Sequence, residues 1–158
     1  MIILELFSGF ECISNAFRAN GHKCFTVDWD TRFNSDLHKD ISTLTLDDLP
    51  PEFRHPDIVF VGMDCTTYSV AAISTHRYKD DATGYLLPKS EKAIFADKMA
   101  LHVQDLIKQM QPAVQIWENP RGGVAKSRIH AGFRILEHDN VLSIRFHIPE
   151  SDRLFFEH

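Results

Sequence analysis

Cysteine is sparse in this 158-residue chain: Cys12, Cys24 and Cys65 are widely spaced, with no CxxC pair. An odd, scattered set supports neither a disulfide framework nor a thiolate zinc site, and a reducing cytoplasm is the expected compartment. Positive charge is also short. Lys and Arg number 17 against 22 Asp and Glu, a formal net charge of -5. The broad basic face that attracts nucleic acid non-specifically is therefore not expected, which leaves room only for a local patch. No apolar run approaches membrane-spanning length, so no membrane partner is expected. The opening MIILELF has no basic leader and reads as a first strand, not a signal peptide. GxGxxG is missing, so a dinucleotide clamp is not expected. His76, His102, His130, His138 and His147 show no ligand spacing, which argues against a metal site or a histidine triad. No repeat, linker or low-complexity tract interrupts the chain.

What is present suits one domain, residues 1–158, with a single core: 44% apolar and 25% charged residues. IILELF (2–7) is β-rich and ends at SG. ECISNAFRANG (11–21) places Ile13, Ala16 and Phe17 on one helical face and stops at Gly21. KCFTV (23–27) resumes strand character and ends in DWD, completing a parallel βαβ spacing. LHKDI (37–41) reads as a short third strand, TLDDLPPEF as a short helix broken by Pro50 and Pro51, and DIVFV (57–61) as a central parallel strand. Residues 66–90 look irregular, a functional loop or lid. EKAIFADKMALHVQDLIKQMQ (91–111) predicts an amphipathic helix with its apolar face at 94, 95, 99, 103, 106, 107 and 110. AVQIW (113–117) is the next strand. NVLSIRF (140–146) and RLFF (153–156) suggest two more, paired as a hairpin across IPESD. The expected class is α/β.

Ligands of open parallel sheets bind beyond the carboxyl ends of the strands. After successive strands come SGF, DWD, Asp40, DCTTYS and ENPRGG, so polar and glycine residues gather on one rim. Ser8, Gly9 and the following helix start offer backbone N–H groups to an anionic ligand group, and an acid after strand two suits ribose hydroxyls. A nucleoside-type cofactor without a pyrophosphate fits this rim. Taken singly, Asp28 and Asp40 read as strand-end or helix-cap acids more often than as ligand contacts, and Phe7 alone reads as core. Cys12 and Cys24 lie in apolar contexts and read as packing residues. Cys65, flanked by Asp64 and two threonines, does not.

Over roughly residues 2–123 the chain resembles the cytosine-5 DNA methyltransferases, and more closely the small, divergent members encoded in phages. ELFSGFECISNAFRANGH is similar to the family's Asp-Leu-Phe-x-Gly cofactor motif, VDWD to its second motif and KDI to its third. GMDCTTYS resembles its Pro-Cys-Gln-x-Phe-Ser catalytic loop, and ENPRGG its Glu-Asn-Val motif. The resemblance implies a Rossmann-like methyltransferase fold, a mostly parallel sheet with helices on both faces, incomplete at the C-terminal end. It implies S-adenosylmethionine as cofactor and DNA as partner, in the cytoplasm of a bacterial or phage-infected cell. Phe7 would stack on adenine with Trp29 over the other face, and Asp40 would accept from the adenine amino group. Asp28 would take the ribose hydroxyls, while Glu5, Ser8 and Gly9 would shape the methionine end. Cys65 would attack carbon 6 of cytosine, Glu118 would protonate ring nitrogen 3, and Asn119 would hold the loop.

Asp64 stands where the family has Pro, Thr66 where it has Gln and Pro120 where it has Val. A carboxylate beside the thiol disfavours the thiolate unless a cation or backbone donors compensate. The family's Gln-x-Arg-x-Arg motif, target-recognition region and closing helix have no counterpart in the sequence. Target recognition is therefore expected from a second copy in a homodimer or from a partner subunit. Arg77, Lys79, Arg121, Lys126 and Arg128 form a modest phosphate-facing patch or simply solvate the rim loops, and Arg145 or Arg153 is a candidate contact to cytosine. Two other readings stay open. One is an inactive or truncated relative acting as a binding or regulatory protein; the other is a different acceptor, such as a free pyrimidine nucleotide or an exocyclic amine.

Overall fold

The computed structural model describes the backbone of residues 1–120, 134–138 and 142–147, and the side chains of residues 1–118. In chain order the first half contains β1 (Ile2–Leu6), α1 (Cys12–Ala19), β2 (Lys23–Asp28), β3 (Leu37–His38) and β4 (Ile58–Val61). The second contains α2 (Ile73–His76), β5 (Arg77–Lys79), β6 (Leu86–Pro88), α3 (Glu91–Met110), β7 (Val114–Pro120), β8 (Arg134–His138) and β9 (Leu142–His147). The main sheet has the order β3-β2-β1-β4-β7-β9-β8. Its first five strands are parallel, and β9 runs antiparallel to both β7 and β8.

From β1 the chain steps sideways to β2, whereas from β4 it steps the opposite way to β7. Right-handed crossovers in opposite directions put α1 and α3 on opposite faces. Covered on both sides, β1 and β4 need apolar residues pointing each way, which explains IIL and IVFV. Ile3, Leu4, Leu6, Val59 and Val61 are buried, with Val103, Leu106, Ile107 and Met110 of α3 packed on one face and Trp117 beside them. Among the described residues no helix is long and apolar enough to cross a membrane.

Ser90 starts α3: its hydroxyl accepts the Ala93 N–H at 3.2 Å. Replacing Ser90 by Ala should cost about 1 kcal/mol of stability, measurable as a lower urea midpoint at unchanged slope. The buried face of α3 differs from the expected one. Ala93 and Ala100 are buried, while Ile94 and Phe95 are exposed. In α1 the buried residue is Ser14; Ala16 is exposed, and Cys12, expected to pack, is exposed as well.

Three further expectations need correction. LHKDI pairs only over Leu37–His38, and TLDDLPPEF forms two 3-10 turns, Leu46–Asp48 and Pro51–Phe53, because the proline pair leaves no room for a full helix. Residues 66–90 are not irregular: besides α2 they hold the β5–β6 hairpin, whose register runs from Arg77 opposite Pro88 to Lys79 opposite Leu86. Its turn is closed by Asp80, whose carboxylate accepts the Thr83 N–H, and by Gly84 at φ 73°. DATG is a hairpin-turn signal of the short glycine-containing kind. NVLSIRF forms β9, which pairs with both β7 and β8. Residues 153–156 themselves lie outside the described residues.

Candidate active site

A cavity of about 310 Å³ opens beyond the carboxyl ends of β1, β2 and β4. Phe7 and Trp29 supply aromatic walls and Asp40 a carboxylate, so the structure gathers three of the seven expected cofactor residues on one opening. Trp29 is 67% exposed. Asp40 also caps the following turn through the Ser42 N–H at 2.9 Å, so its structural and its binding reading coexist.

The turn after β1 makes this wall possible. Phe7 (φ 59°), Gly9 (φ 49°) and Glu11 (φ 56°) are all left-handed. For a non-glycine residue that costs about 1–2 kcal/mol, and such strain persists only where surrounding contacts hold it. Those contacts are visible. The Gly9 N–H donates to Asp28 at 3.0 Å, the Glu11 N–H donates to the Ser8 carbonyl at 2.8 Å, and Glu11 accepts the Thr26 hydroxyl at 2.6 Å. Glu5, Ser8, Gly9 and Asp28 are not among the residues lining the cavity. Glu5 is buried and accepts the Ser14 N–H at 2.9 Å, fixing the first turn of α1, and burial pushes its carboxyl up. Ser8 meets Ser35 at 2.8 Å. Asp28 accepts the Gly9 N–H with one oxygen and the Asp30 N–H with the other.

After β4, Gly62 passes so close to the β1 turn that a Cβ there would lie 3.3 Å from the Phe7 carbonyl oxygen. Its N–H donates to Leu6 at 3.0 Å. Met63 and Asp64 then enter the cavity wall. The Asp64 carboxylate accepts the N–H of Thr66 at 2.8 Å, giving the bend that proline would otherwise impose. Burial pushes the Asp64 carboxyl up, but the Thr66 hydroxyl and N–H, with Lys92 at 3.5 Å, outweigh it and hold it below the usual range. Cys65 follows, half-buried, with its carbonyl accepting the N–H groups of Tyr68 and Ser69, both at 2.9 Å.

Glu118 stands one residue beyond the Val61–Trp117 pair, on the strand next to β4. Burial and then the Asp64 charge push the Cys65 thiol above its ordinary value, against a backbone hydrogen bond that lowers it, and Glu118 adds the smallest push. A raised thiol leaves less thiolate at every pH below its midpoint. Asp64→Asn keeps an acceptor for Thr66 and removes the charge. It should move the pH curve of Cys65 alkylation to lower pH and speed alkylation several-fold at pH about 8, followed by peptide-resolved mass spectrometry. An unmoved curve would rule out Asp64 as the controlling charge.

No family model matches the chain, and no curated protein matches it. Among solved structures, a protein described as a DNA modification methyltransferase encoded within a prophage of E. coli superposes with a TM-score of 0.58 at 16% identity, covering 92% of this chain and 45% of that one. The protein has a Rossmann-like methyltransferase fold. It spans less than half the length of that prophage methyltransferase. A Spodoptera frugiperda DNMT2 mutant gives a TM-score of 0.42 at 18% identity, over 77% of this chain and 36% of that one. An S-adenosylmethionine-dependent methyltransferase from Listeria monocytogenes gives 0.40 at 11%, over 98% and 70%.

On this methyltransferase fold the cationic expectations divide. Arg77 is no phosphate contact: its side chain is 0% exposed and paired with Asp97 at 2.6 Å. Lys79 is exposed. Arg121, Lys126, Arg128 and Arg153 lie outside the described residues, as do the side chains of Asn119 and Arg145. Sequence reasoning missed the α3 wall of the cavity, Lys92, Phe95 and Met99. Phe95, 56% exposed although it belongs to the apolar pattern of α3, lines the cavity instead of the core. A signal was there. Ala93 and Ala100 continue the 3–4 spacing of 103, 107 and 110, and the adjacent pair Ile94–Phe95 falls outside it.

Proposed function

We propose that the protein transfers a methyl group from S-adenosylmethionine to carbon 5 of cytosine in DNA, through a covalent adduct with Cys65. The observation that carries the proposal is the juxtaposition of an aromatic-walled cavity with the Cys65 loop and Glu118 at the carboxyl ends of neighbouring parallel strands. At about 310 Å³ the cavity stands at the lower end of the roughly 300–1,000 Å³ of small-molecule sites. Two aromatic rings and a carboxylate suit an adenine face and its amino group. Phe7 and Trp29 would hold the adenine and Asp40 would accept from its amino group. Asp28 retains lone pairs for ribose hydroxyls, and Glu5, Ser8 and Gly9 set the shape of the turn. When bound, the cofactor supplies an electrophilic methyl group.

The chain's own residues make the acceptor competent. Cytosine carbon 5 is a poor nucleophile. The Cys65 thiolate forms a bond to carbon 6, the ring electron pair moves towards carbon 5, and Glu118 holds a proton at nitrogen 3 as charge develops there. After carbon 5 gains its methyl group, loss of the carbon 5 proton to water returns the electron pair to the ring and expels the thiolate. A paired cytosine must first leave the duplex stack.

Calorimetric titration with S-adenosylmethionine and its demethylated product tests the cavity, and transfer of labelled methyl groups to cytosine-containing DNA tests the chemistry. Phe7→Ala and Trp29→Ala should each weaken cofactor binding by about three- to tenfold, the worth of one aromatic stacking contact. Unchanged binding in both would remove the adenine from this cavity. A second reading, an inactive relative acting as a binding protein, is favoured by the Asp64 carboxylate that opposes thiolate formation. It expects cofactor-independent behaviour and no transfer with any DNA.

A further inference from the structure

Two residues outside the cavity wall, Arg77 and Asp97, converge on Thr67 and Tyr68 of the Cys65 loop. The Arg77 guanidinium donates through Nε to the Thr67 carbonyl at 3.0 Å and through a terminal nitrogen to the Thr67 hydroxyl at 3.2 Å. Its other face of donors meets both Asp97 oxygens, at 2.6 and 3.1 Å. The same guanidinium lies 4.0 Å from the centre of the Tyr68 ring, and the Tyr68 hydroxyl donates to Asp97 at 2.7 Å. Arg77, Thr67 and Tyr68 are buried. Burial and the Asp97 charge push the Tyr68 phenol up, so it stays a donor. Thr67 and Tyr68 are the second and third residues after Cys65, and Cys65 closes the turn by accepting from Tyr68 and Ser69. Asp97 belongs to α3, the helix that also walls the cavity. Arg77 is the first residue of β5, so the hairpin and α3 clamp the loop from two sides.

We propose that Arg77 and Asp97 are positioning residues: through Thr67 and Tyr68 they hold the Cys65 loop in one arrangement relative to α3. This rests on the assignment of Cys65 as nucleophile, but the clamp itself is a property of the folded chain. A buried guanidinium with bidentate carboxylate geometry has little freedom, unlike an exposed pair. Held this way, the half-buried thiol is aimed before substrate arrives and is only partly open to small reagents. Loosening the clamp then has two opposite effects. Productive attack falls, because misplacing a reacting atom by about 1 Å can cost on the order of 100-fold. Casual access of a small alkylating agent rises.

The test uses the full chain carrying Asp97→Asn and, as a milder change, Tyr68→Phe, which removes one hydroxyl. Iodoacetamide labelling is followed at each cysteine by peptide mass spectrometry, and S-adenosylmethionine binding is titrated alongside. Cys65 labelling should rise several-fold while that of half-buried Cys24 stays at the wild-type rate. The Kd for S-adenosylmethionine should be unchanged, and methyl transfer should fall by about tenfold or more in kcat. Unchanged Cys65 labelling in folded variants overturns the clamp. So does a parallel rise at Cys24 and Cys65, since that would make the network a prop for the whole fold. If the wild-type protein binds no cofactor and transfers no methyl group, the proposed reaction falls, while the labelling comparison still decides the clamp.

Discussion

Replacing Cys65 by alanine is expected to reduce methyl transfer to DNA by about four orders of magnitude or more, the scale on which loss of a covalent nucleophile is felt. The cofactor should still bind, because Cys65 is not among the residues lining the cavity. The split between the two measurements is the informative result. Without an S–C bond at carbon 6 the ring has no electron-rich carbon 5 to offer, however well the methyl donor is held. A duplex carrying 5-fluorocytosine gives a direct view: no proton can leave carbon 5, so the wild-type protein should remain attached to it and the alanine variant should not. Substantial transfer by the variant would sink the nucleophile assignment, and the neighbouring Asp64 would become the residue to explain. Glu118 shares the fate of this test, since its proton matters only to a ring that has accepted a thiolate.

Asp97→Ala should have the largest effect on stability. Arg77 has a fully buried side chain whose charge is matched by Asp97, with Thr67 taking two further donors. Removing one member of a buried pair leaves an uncompensated charge and costs about 3–5 kcal/mol. For a chain of this size that corresponds to a Tm lower by roughly 10 °C. Replacing both partners, with Arg77→Met and Asp97→Leu together, should recover only part of the loss: an apolar pair needs no solvation, but the Thr67 carbonyl and the Tyr68 hydroxyl lose these bonds. A cost of less than about 1 kcal/mol for Asp97→Ala would mean that the pair behaves as a surface contact.

The sequence was most legible where one physical demand dominated. IVFV and IILEL are apolar on both faces because the parallel strands they form are covered on both, and that requirement leaves a mark no other element leaves. Rim residues were legible by position: Phe7, Trp29 and Asp40 each follow a strand, and the sheet carries them to one cavity. Helices were harder. In α1 the buried position goes to Ser14, whose N–H is needed by Glu5, and not to Ala16. In α3 a site surface and a core surface share one helix, so Phe95 looked like core when it is wall. Arg77 misled for a related reason. An arginine in a polar stretch reads as solvated, and nothing local in HRYKDD reveals a carboxylate twenty residues on.

Gly62 has a consequence for how the two halves of the cleft can vary. With only a hydrogen where other residues carry carbon, it lets the exit of β4 rest against the Phe7 carbonyl. Displacing that carbonyl, whether by a bulkier ligand or a larger residue at position 62, shifts the peptide leading to Met63, Asp64 and Cys65. On the proposed reading, grip on the methyl donor and aim of the sulfur are linked through this contact, and by reciprocity a strain imposed at either one is felt at the other. Remodelling one half of the cleft therefore remodels both.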